Sequence, residues 1–142
     1  MLSKKSKIVK QLTRSKDNRG SIISIFDYKI NNVSIITSNK NSIRSNHYHK
    51  KDWHLMYILE GKMDYFYIRN KETYYLNLKK GDLIFTPAKE IHATYFPQKT
   101  IIIVGSKNPR DQKTYEKDTV RVNFIDIKNI ESIKKNAKKI KQ

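Results

Sequence analysis

The chain contains no cysteine, and this absence restricts the chemistry that is open to it. It can form no disulfide, and a metal site built from thiolates is excluded, so any metal would need nitrogen or oxygen ligands. No apolar run is long enough to span a membrane, and Met1 to Lys10 lacks the apolar core of a signal peptide. We therefore expect a cytoplasmic protein with no membrane partner.

Acidic residues are also scarce. The 142 residues include 13 Asp and Glu against 30 Lys and Arg, which gives a formal charge of +17. About half of the excess lies at the two ends, residues 1–18 and 126–142, and neither end contains Trp, Tyr or Phe. Because nucleic-acid surfaces usually combine basic with aromatic residues, we do not expect a nucleic-acid partner. The charge instead favours an anionic small-molecule substrate.

The length is that of a single domain with its own core. We divide the chain into a basic, irregular N-terminal arm (residues 1–18), a strand-rich domain (19–127) and a basic amphipathic C-terminal helix (128–142). The helix is predicted from apolar residues at three- and four-residue spacing, Ile130, Ile133, Ala137 and Ile140. This apolar stripe is expected to pack on the sheet or on a second subunit.

Between these ends, short β-branched and aromatic segments alternate with turns rich in Asn and Gly, which predicts strands. We expect ten of them, at residues 21–27, 33–38, 42–49, 54–59, 62–69, 72–78, 83–86, 92–96, 100–105 and 119–127. Many short strands at close spacing are typical of a β-sandwich or barrel. The predicted fold class is therefore all-β with a short C-terminal helix.

Histidine is scarce as well, yet three of the four histidines lie within one stretch, Ser42 to Gly61. His47 and His49 lie on the same face of a strand because side chains alternate along it. His54 begins the next apolar run and would return beside them if the two strands were antiparallel neighbours, and His92 follows later. Converging imidazoles suit a divalent transition metal.

These histidines resemble the two motifs of the cupin superfamily. The first motif, in which H-x-H is followed by Glu and then Gly, corresponds to His47, His49, His54 and Gly61. The second, Gly then Pro then His, corresponds to Gly81, Pro87 and His92. The resemblance implies a double-stranded β-helix (the cupin jelly-roll barrel), a homodimer and a metal bound inside the barrel. Because His54 replaces the usual Glu, it implies four histidine ligands for Fe, Mn, Ni or Zn.

A narrower resemblance links the chain to the sugar-nucleotide branch of the cupins. Asp17 to Gly20 and Arg44 to Lys51 are similar to segments of deoxysugar 3,5-epimerases and of 3,4-ketoisomerases of dTDP-linked keto sugars. This resemblance implies that His47 or His49 removes a proton without a metal. A barrel-lining tyrosine on the opposite face would donate one. The candidates for this acid are Tyr57, Tyr65 and Tyr67.

Three further residues are candidates for substrate binding: Arg44, Trp53 and Met56. Strict strand alternation places Arg44 away from the histidine face, so a role in the pocket would require a bulge. Trp53 could line the mouth of the pocket or plug it. Asp118 and Arg121 are expected to form a surface ion pair.

Three functions remain open at this point. The first is a metal-dependent enzyme (isomerase, lyase or dioxygenase) acting on a small oxygen-rich or anionic substrate. The second is a metal-independent sugar-nucleotide epimerase or ketoisomerase, and the third a sugar-binding module without turnover. We place the metal enzyme first because it alone assigns a role to His54 and His92.

Overall fold

The computed structural model describes residues 3–140, apart from the side chains of residues 12–14, so the ends of the predicted arm and tail lie outside it. The strands are β1 (Lys7–Ile8), β2 (Leu12–Asp17), β3 (Gly20–Ser24), β4 (Asn32–Ser38), β5 (Ser42–His49), β6 (His54–Glu60), β7 (Lys62–Arg69), β8 (Glu72–Lys79), β9 (Leu83–Thr86), β10 (His92–Phe96), β11 (Thr100–Ser106), β12 (Thr119–Arg121) and β13 (Lys138–Lys139). The helices are α1 (Gln112–Asp118) and α2 (Ile130–Asn136). No helix within residues 3–140 is long and apolar enough to cross a membrane.

Two facing sheets form the body of the molecule, as the predicted all-β fold requires. One has the strand order β1-β9-β6-β11-β4 and the other β12-β5-β10-β7-β8-β13, while β2 and β3 form a separate hairpin. The apolar strand β11 lies between β6 and β4, as expected for a run with no polar face. Asn70 and Lys71, between the predicted strands 62–69 and 72–78, join β7 to β8, and both residues have the positive φ of a tight hairpin.

Alternation along β7 separates the interior of the sandwich from its outer face. Met63, Tyr65 and Tyr67 belong to the buried cluster between the sheets. Phe66, which points the other way, packs on the outer face of its sheet beneath the C-terminal segment. A single strand therefore supplies two apolar layers, because its side chains alternate between the two faces of the sheet.

The N-terminal segment is not the irregular arm that its composition suggested. Strand β1 pairs with β9, and β2 pairs with β3. Inside the protein, the Ser6 amide donates a hydrogen bond to Glu90 Oε1 (3.0 Å), and the Ser6 and Tyr65 hydroxyls lie 2.7 Å apart. Composition could not indicate the contacts of β1 and Ser6, because their partners in β9 and at Glu90 lie far along the chain.

The C-terminal helix is shorter than predicted and packs on the sheet. It ends at Asn136, and β13 then runs parallel to β8. Ile130, Ile133 and Ala137 pack into the outer apolar cluster with Phe66. The predicted last strand is also shorter, since β12 ends at Arg121.

The two strands that carry the first three histidines are not neighbours, so the expected hairpin is absent. Strand β5 belongs to one sheet and β6 to the other. The loop between them crosses the sandwich, and Asp118 fixes it by accepting hydrogen bonds from the amides of Lys51 (2.8 Å) and Asp52 (3.0 Å). His54 therefore approaches His47 and His49 from the facing sheet.

Candidate active site

A cavity of about 240 Å³ lies between the sheets at the histidine end of the sandwich. Its walls combine apolar side chains with histidines, arginines and a tyrosine: Ile36, Ile43, Arg44, Ser45, His47, His54, Met56, Thr94, Phe96, Ile102, Val104, Arg110, Tyr115 and Arg121. None of the Asp or Glu residues within the described chain lines it. A cavity with cationic walls and an apolar floor suits a small anionic ligand.

A bulge in β5 directs its side chains into this cavity. His92 of β10 pairs with His47, but the next residue, Ala93, pairs with Ser45, so Asn46 is the extra residue. Ser45 and Asn46 both have positive φ values, 69° and 54°. The bulge that a cavity-facing Arg44 requires is therefore present, and Arg44 lines the cavity.

The four histidines converge as their spacing suggested. Ring centroids are 4.5 Å apart for His47 and His49, 4.8 Å for His47 and His92, and 4.6 Å for His49 and His54. The donor atoms form two overlapping groups, each within 4.8 Å: His47, His49 and His92 in one, and His49, Asp52 and His54 in the other. His54 thus shares its group with Asp52, a carboxylate that is not part of the two histidine motifs.

Three of the four imidazoles are held by hydrogen bonds or by a nearby carboxylate. His49 Nδ1 lies 3.3 Å from Thr119 Oγ1 and 3.5 Å from Asp118 Oδ2. His54 Nε2 lies 2.9 Å from Asp52 Oδ2, and His92 Nδ1 donates to the Glu90 carbonyl (3.0 Å). His47 has no hydrogen-bond partner within residues 3–140. Of the two histidines that line the cavity, His47 is therefore the one left free to meet a ligand with both nitrogens.

His47, His49 and His92 are neutral at neutral pH. Burial, and then the charge that neighbouring histidines would carry, lower the pKa of His47 to about 2. Burial lowers the pKa of His92 to about 3, although its bond to the Glu90 carbonyl acts the other way. Burial and His54 lower the pKa of His49 to about 4 against the opposing effect of nearby carboxylates. Neutral imidazoles have lone pairs available for a proton or a metal.

The tyrosines predicted as acids lie outside this cavity. The Tyr65 ring stacks on His92, with centroids 6.0 Å apart, but its hydroxyl bonds to Ser6 and to Thr86 (2.8 Å). Tyr67 stacks on Tyr74 and lines a different cavity with Ser6 and Leu76. Tyr57 packs in a third apolar cluster with Leu55, Leu83 and Phe85. None of the three hydroxyls is therefore placed to donate a proton to a ligand beside the histidines.

The substrate-binding candidates divide in the same way. Arg44 and Met56 line the cavity. Trp53 does not, because its ring packs against Phe85, with centroids 5.8 Å apart, and against Tyr28 at 6.1 Å. The expected ion pair of Asp118 with Arg121 is also absent. Arg121 instead donates two hydrogen bonds to Glu116, at 2.8 and 2.9 Å.

The sequence did not reveal that α1 and the loop before it close the cavity. Tyr115 lies with its ring centroid 5.6 Å from that of His49 and 6.3 Å from that of His47. The Arg110 guanidinium lies over the Tyr115 ring at 5.1 Å. One local signal was available: Asp111 caps the helix by accepting a hydrogen bond from the Thr114 amide (3.0 Å).

Two facing sheets around a histidine-lined cavity define a small jelly-roll protein of the kind that the histidine motifs resemble. The chain belongs to the cupin family, whose model matches residues 23–132. No curated protein matches the sequence.

Several solved structures are similar in fold. A sugar 3,4-ketoisomerase from Thermoanaerobacterium thermosaccharolyticum, in complex with TDP, has a TM-score of 0.70 at 19% identity over 94% of this chain and 98% of that chain. A TDP-quinovose 3,4-ketoisomerase from Campylobacter jejuni has a TM-score of 0.71 at 19% identity over 94% and 100%. A dTDP-6-deoxy-D-glucose-3,5-epimerase from Legionella pneumophila, in complex with dTDP-4-keto-L-rhamnose, has a TM-score of 0.67 at 13% identity over 85% and 74%. At these identities the likeness establishes the fold alone.

Proposed function

We propose that this cupin isomerises a nucleotide-linked keto sugar by moving the carbonyl group between adjacent carbons, as a 3,4-ketoisomerase or the related epimerase. The observation that carries the proposal is His47, a neutral imidazole without a hydrogen-bond partner among the described residues, which lines a cavity with three arginines. The fold similarity to two sugar ketoisomerases and an epimerase supports the same chemistry.

His47 is the proposed base. It takes the proton from the carbon next to the carbonyl while the carbonyl oxygen gains a proton, which gives an enediol. Loss of the proton from the neighbouring hydroxyl and return of a proton to the former carbonyl carbon complete the isomerisation, so no oxidant or reductant is consumed. Return of the proton to the original carbon from the other side would be epimerisation.

The pKa of His47 is low because the imidazole is buried beside other histidines. This low pKa keeps the imidazole unprotonated, so that a lone pair is available. When the proton leaves the sugar, negative charge develops beside the imidazole, and an adjacent negative charge stabilises the imidazolium. The base therefore becomes stronger as the transfer proceeds, which suits a proton that must be returned.

Tyr115 replaces the predicted tyrosines as the proposed proton donor to the carbonyl oxygen. Its ring lies beside His47 and His49 in the cavity wall, and no hydrogen bond from its hydroxyl occurs within the described part of the chain. The Arg110 guanidinium lies over the same ring, 5.1 Å from its centroid. Tyr115 therefore has the position that Tyr57, Tyr65 and Tyr67 lack.

The three cavity arginines are the proposed contacts for the nucleotide diphosphate. Arg44 is anchored to Ser38 Oγ (2.8 Å) and to the Thr37 carbonyl (3.0 Å), and Arg121 is held by Glu116. Arg110 makes no ion pair within residues 3–140 and is free to bind a phosphate. Arginine suits this task because its planar fork binds two phosphate oxygens at once.

The test is incubation of the wild-type protein and His47→Asn with TDP-4-keto-6-deoxyglucose in D₂O, followed by proton NMR. We expect deuterium exchange and a rearranged sugar with the wild type, and binding without exchange with His47→Asn. Exchange that is unaffected in His47→Asn would contradict the role of His47. Binding of the sugar nucleotide without any exchange in the wild type would instead identify a binding module.

A metal site is a second candidate, and one observation favours it. His49 Nε2 is buried and has no hydrogen-bond partner, and the donors of His47, His49 and His92 lie within 4.8 Å of one another. These neutral nitrogen donors fit Fe, Ni or Zn, and Mn is the other ion that the cupin resemblance implies. His54, the fourth predicted ligand, lies beside them. Such an ion would supply Lewis-acid polarisation of a substrate oxygen.

Elemental analysis tests this candidate on protein purified without a histidine tag, alongside His49→Ala. A stoichiometric metal in the wild type that is absent from His49→Ala would establish a metal site. Protein that contains no metal even after soaking with each ion would rule it out. The deuterium experiment repeated after chelation then shows whether the isomerisation depends on the ion.

A further inference from the structure

The second histidine in the cavity wall, His54, is paired with a buried carboxylate. Its Nε2 atom lies 2.9 Å from Asp52 Oδ2, and both side chains are 7% exposed. Asp52 itself does not line the cavity, whereas His54 does. The ring therefore turns Nε2 towards the protein and leaves its remaining atoms to form the cavity wall.

Asp52 is rigidly placed. Its other oxygen, Oδ1, accepts a hydrogen bond from the Asn108 amide (2.9 Å), and its own amide donates to Asp118 Oδ2 (3.0 Å). Asp52 thus joins the loop that crosses between the sheets to the loop that leads into α1. A residue held at both its side chain and its backbone amide can keep His54 in one orientation.

The hydrogen bonds also fix which nitrogen of His54 carries a hydrogen. Asp52 Oδ1 already accepts from the Asn108 amide (2.9 Å), and Oδ2 faces His54 Nε2 at 2.9 Å. A carboxylate placed in this way accepts at both oxygens, so Nε2 of His54 is the donor. When Nε2 carries the hydrogen, Nδ1 holds the lone pair of the ring, and no described residue bonds to Nδ1.

We propose that His54, fixed in this tautomer by Asp52, recognises a substrate hydroxyl by accepting its hydrogen bond at Nδ1. This inference rests on the proposed function and makes His54 a specificity-determining residue and Asp52 its positioning residue. His47 lies on β5 and His54 on β6 of the facing sheet, so a sugar between them meets the base on one side and the acceptor on the other. The ligand class selected is a hydroxy ketone, with the hydroxyl next to the reacting carbon.

The tautomer is tested first, without any ligand. In a ¹⁵N NMR experiment on the chelator-treated wild type, we expect His54 to carry its hydrogen on Nε2. In Asp52→Asn the amide NH₂ can face the ring, and we expect the hydrogen to move to Nδ1. The matched control is Asp111→Asn, which makes the same change at an exposed helix N-cap where Asn caps as well as Asp, and it is expected to leave the His54 tautomer unchanged. A hydrogen on Nδ1, or an imidazolium, in the wild type overturns the proposal.

Recognition is tested by binding of TDP-4-keto-6-deoxyglucose, its 3-deoxy analogue and TDP alone. We expect His54→Leu to bind the hydroxylated sugar about tenfold more weakly, since one hydrogen bond is lost. Binding of the deoxy analogue and of TDP should be unchanged. His54→Gln, whose carbonyl can accept a hydroxyl hydrogen without help from Asp52, should retain most of the discrimination.

The outcomes separate this inference from the proposed function. If TDP and both sugars fail to bind the wild type, the proposed function is wrong and hydroxyl recognition with it, while the tautomer result stands alone. If TDP and the sugars bind but His54→Leu weakens the two sugars equally, the proposed function survives and the role of His54 is wrong.

Discussion

At the residue scale, hydrogen bonds distinguish the four histidines, and His47 is the one whose side chain has no hydrogen-bond partner among the described residues. Thr119 and Asp118 lie at His49, and Asp52 and the Glu90 carbonyl bond to His54 and His92. The sequence motif makes the four histidines equivalent, and only their hydrogen bonds distinguish them. The partner of one ring nitrogen determines whether the other nitrogen can donate or accept a hydrogen bond, so identical side chains can have different roles.

Tyr115 provides the prediction at this scale. Tyr115→Phe removes the proposed donor, and we expect kcat to fall about a hundredfold, the usual contribution of a general acid, with little change in KM. Tyr95→Phe is the matched control, because that hydroxyl donates to Asn41 on the surface (2.7 Å) away from the cavity. Steady-state kinetics on both variants provides the measurement. Equal kcat values for Tyr115→Phe and the wild type would rule out this role.

At the element scale, corners between strands matter as much as the strands. Gly61 joins β6 to β7 and so passes from one sheet to the other. Its φ is +96°, and an added Cβ would lie 2.4 Å from Thr100 Oγ1 and 2.6 Å from the Lys99 carbonyl oxygen. The chain therefore needs glycine here both for conformation and for space.

We expect Gly61→Ala to lower the free energy of unfolding by about 3 kcal/mol, because the backbone strain at positive φ and the steric clash of the added methyl group are additive. Gly81→Ala is the matched control. That glycine has a similar φ, +93°, but nothing within 4 Å of an added Cβ, so the strain acts alone and we expect about 1 kcal/mol. Urea denaturation of the two variants measures both effects. Equal losses would mean that the backbone near Thr100 relaxes to admit the methyl group.

The sequence predicted most elements but not how they are joined. The strand predicted at residues 62–69 is present as β7, and its alternation places Met63, Tyr65 and Tyr67 inside the sandwich. The bulge at Asn46 could not be predicted, because it is fixed by bonds between its side chain and Ile125, distant in sequence. Helix α1 was missed because its sequence, Q-K-T-Y-E-K-D, has no apolar stripe.

At the scale of the whole molecule, the buried histidines make stability depend on pH. The unfolded chain binds protons at histidine below pH 6.5, whereas the pKa values of His47, His49 and His92 in the folded protein are about 2, 4 and 3. Lowering the pH through this window therefore favours the unfolded state. Glu90 opposes the trend, because burial raises its pKa above 4.5 in the folded protein.

We expect the free energy of unfolding of metal-free protein to fall as the pH drops below 6.5. Each histidine contributes about 1.4 kcal/mol per pH unit, less the opposing effect of Glu90. Urea titrations across this range give the slope of the free energy of unfolding against pH. His47→Asn should reduce this slope by the contribution of one histidine. A stability that rises on acidification would mean that the histidines are charged in the folded state.

The homodimer implied by the cupin resemblance remains a prediction. Strand β4 is an edge of its sheet and exposes Val33 (57%) and Ile35 (72%) to solvent, which is the kind of apolar surface that partners cover. We expect light scattering to give a dimer mass for the wild type and a monomer mass for Ile35→Lys. Ile127→Lys, at a residue 60% exposed, is the control and should remain dimeric. A monomeric wild type would contradict the prediction.

The division of the histidines between two sheets has a consequence for how activity is lost. Strand β5 carries His47 and His49, and β6 carries His54 across the sandwich. Neither sheet alone contains the cavity, so no partly folded form with one intact sheet can bind or turn over a substrate. The proposed activity would therefore require the whole sandwich, and we expect it to disappear at the same denaturant concentration as the tertiary fold.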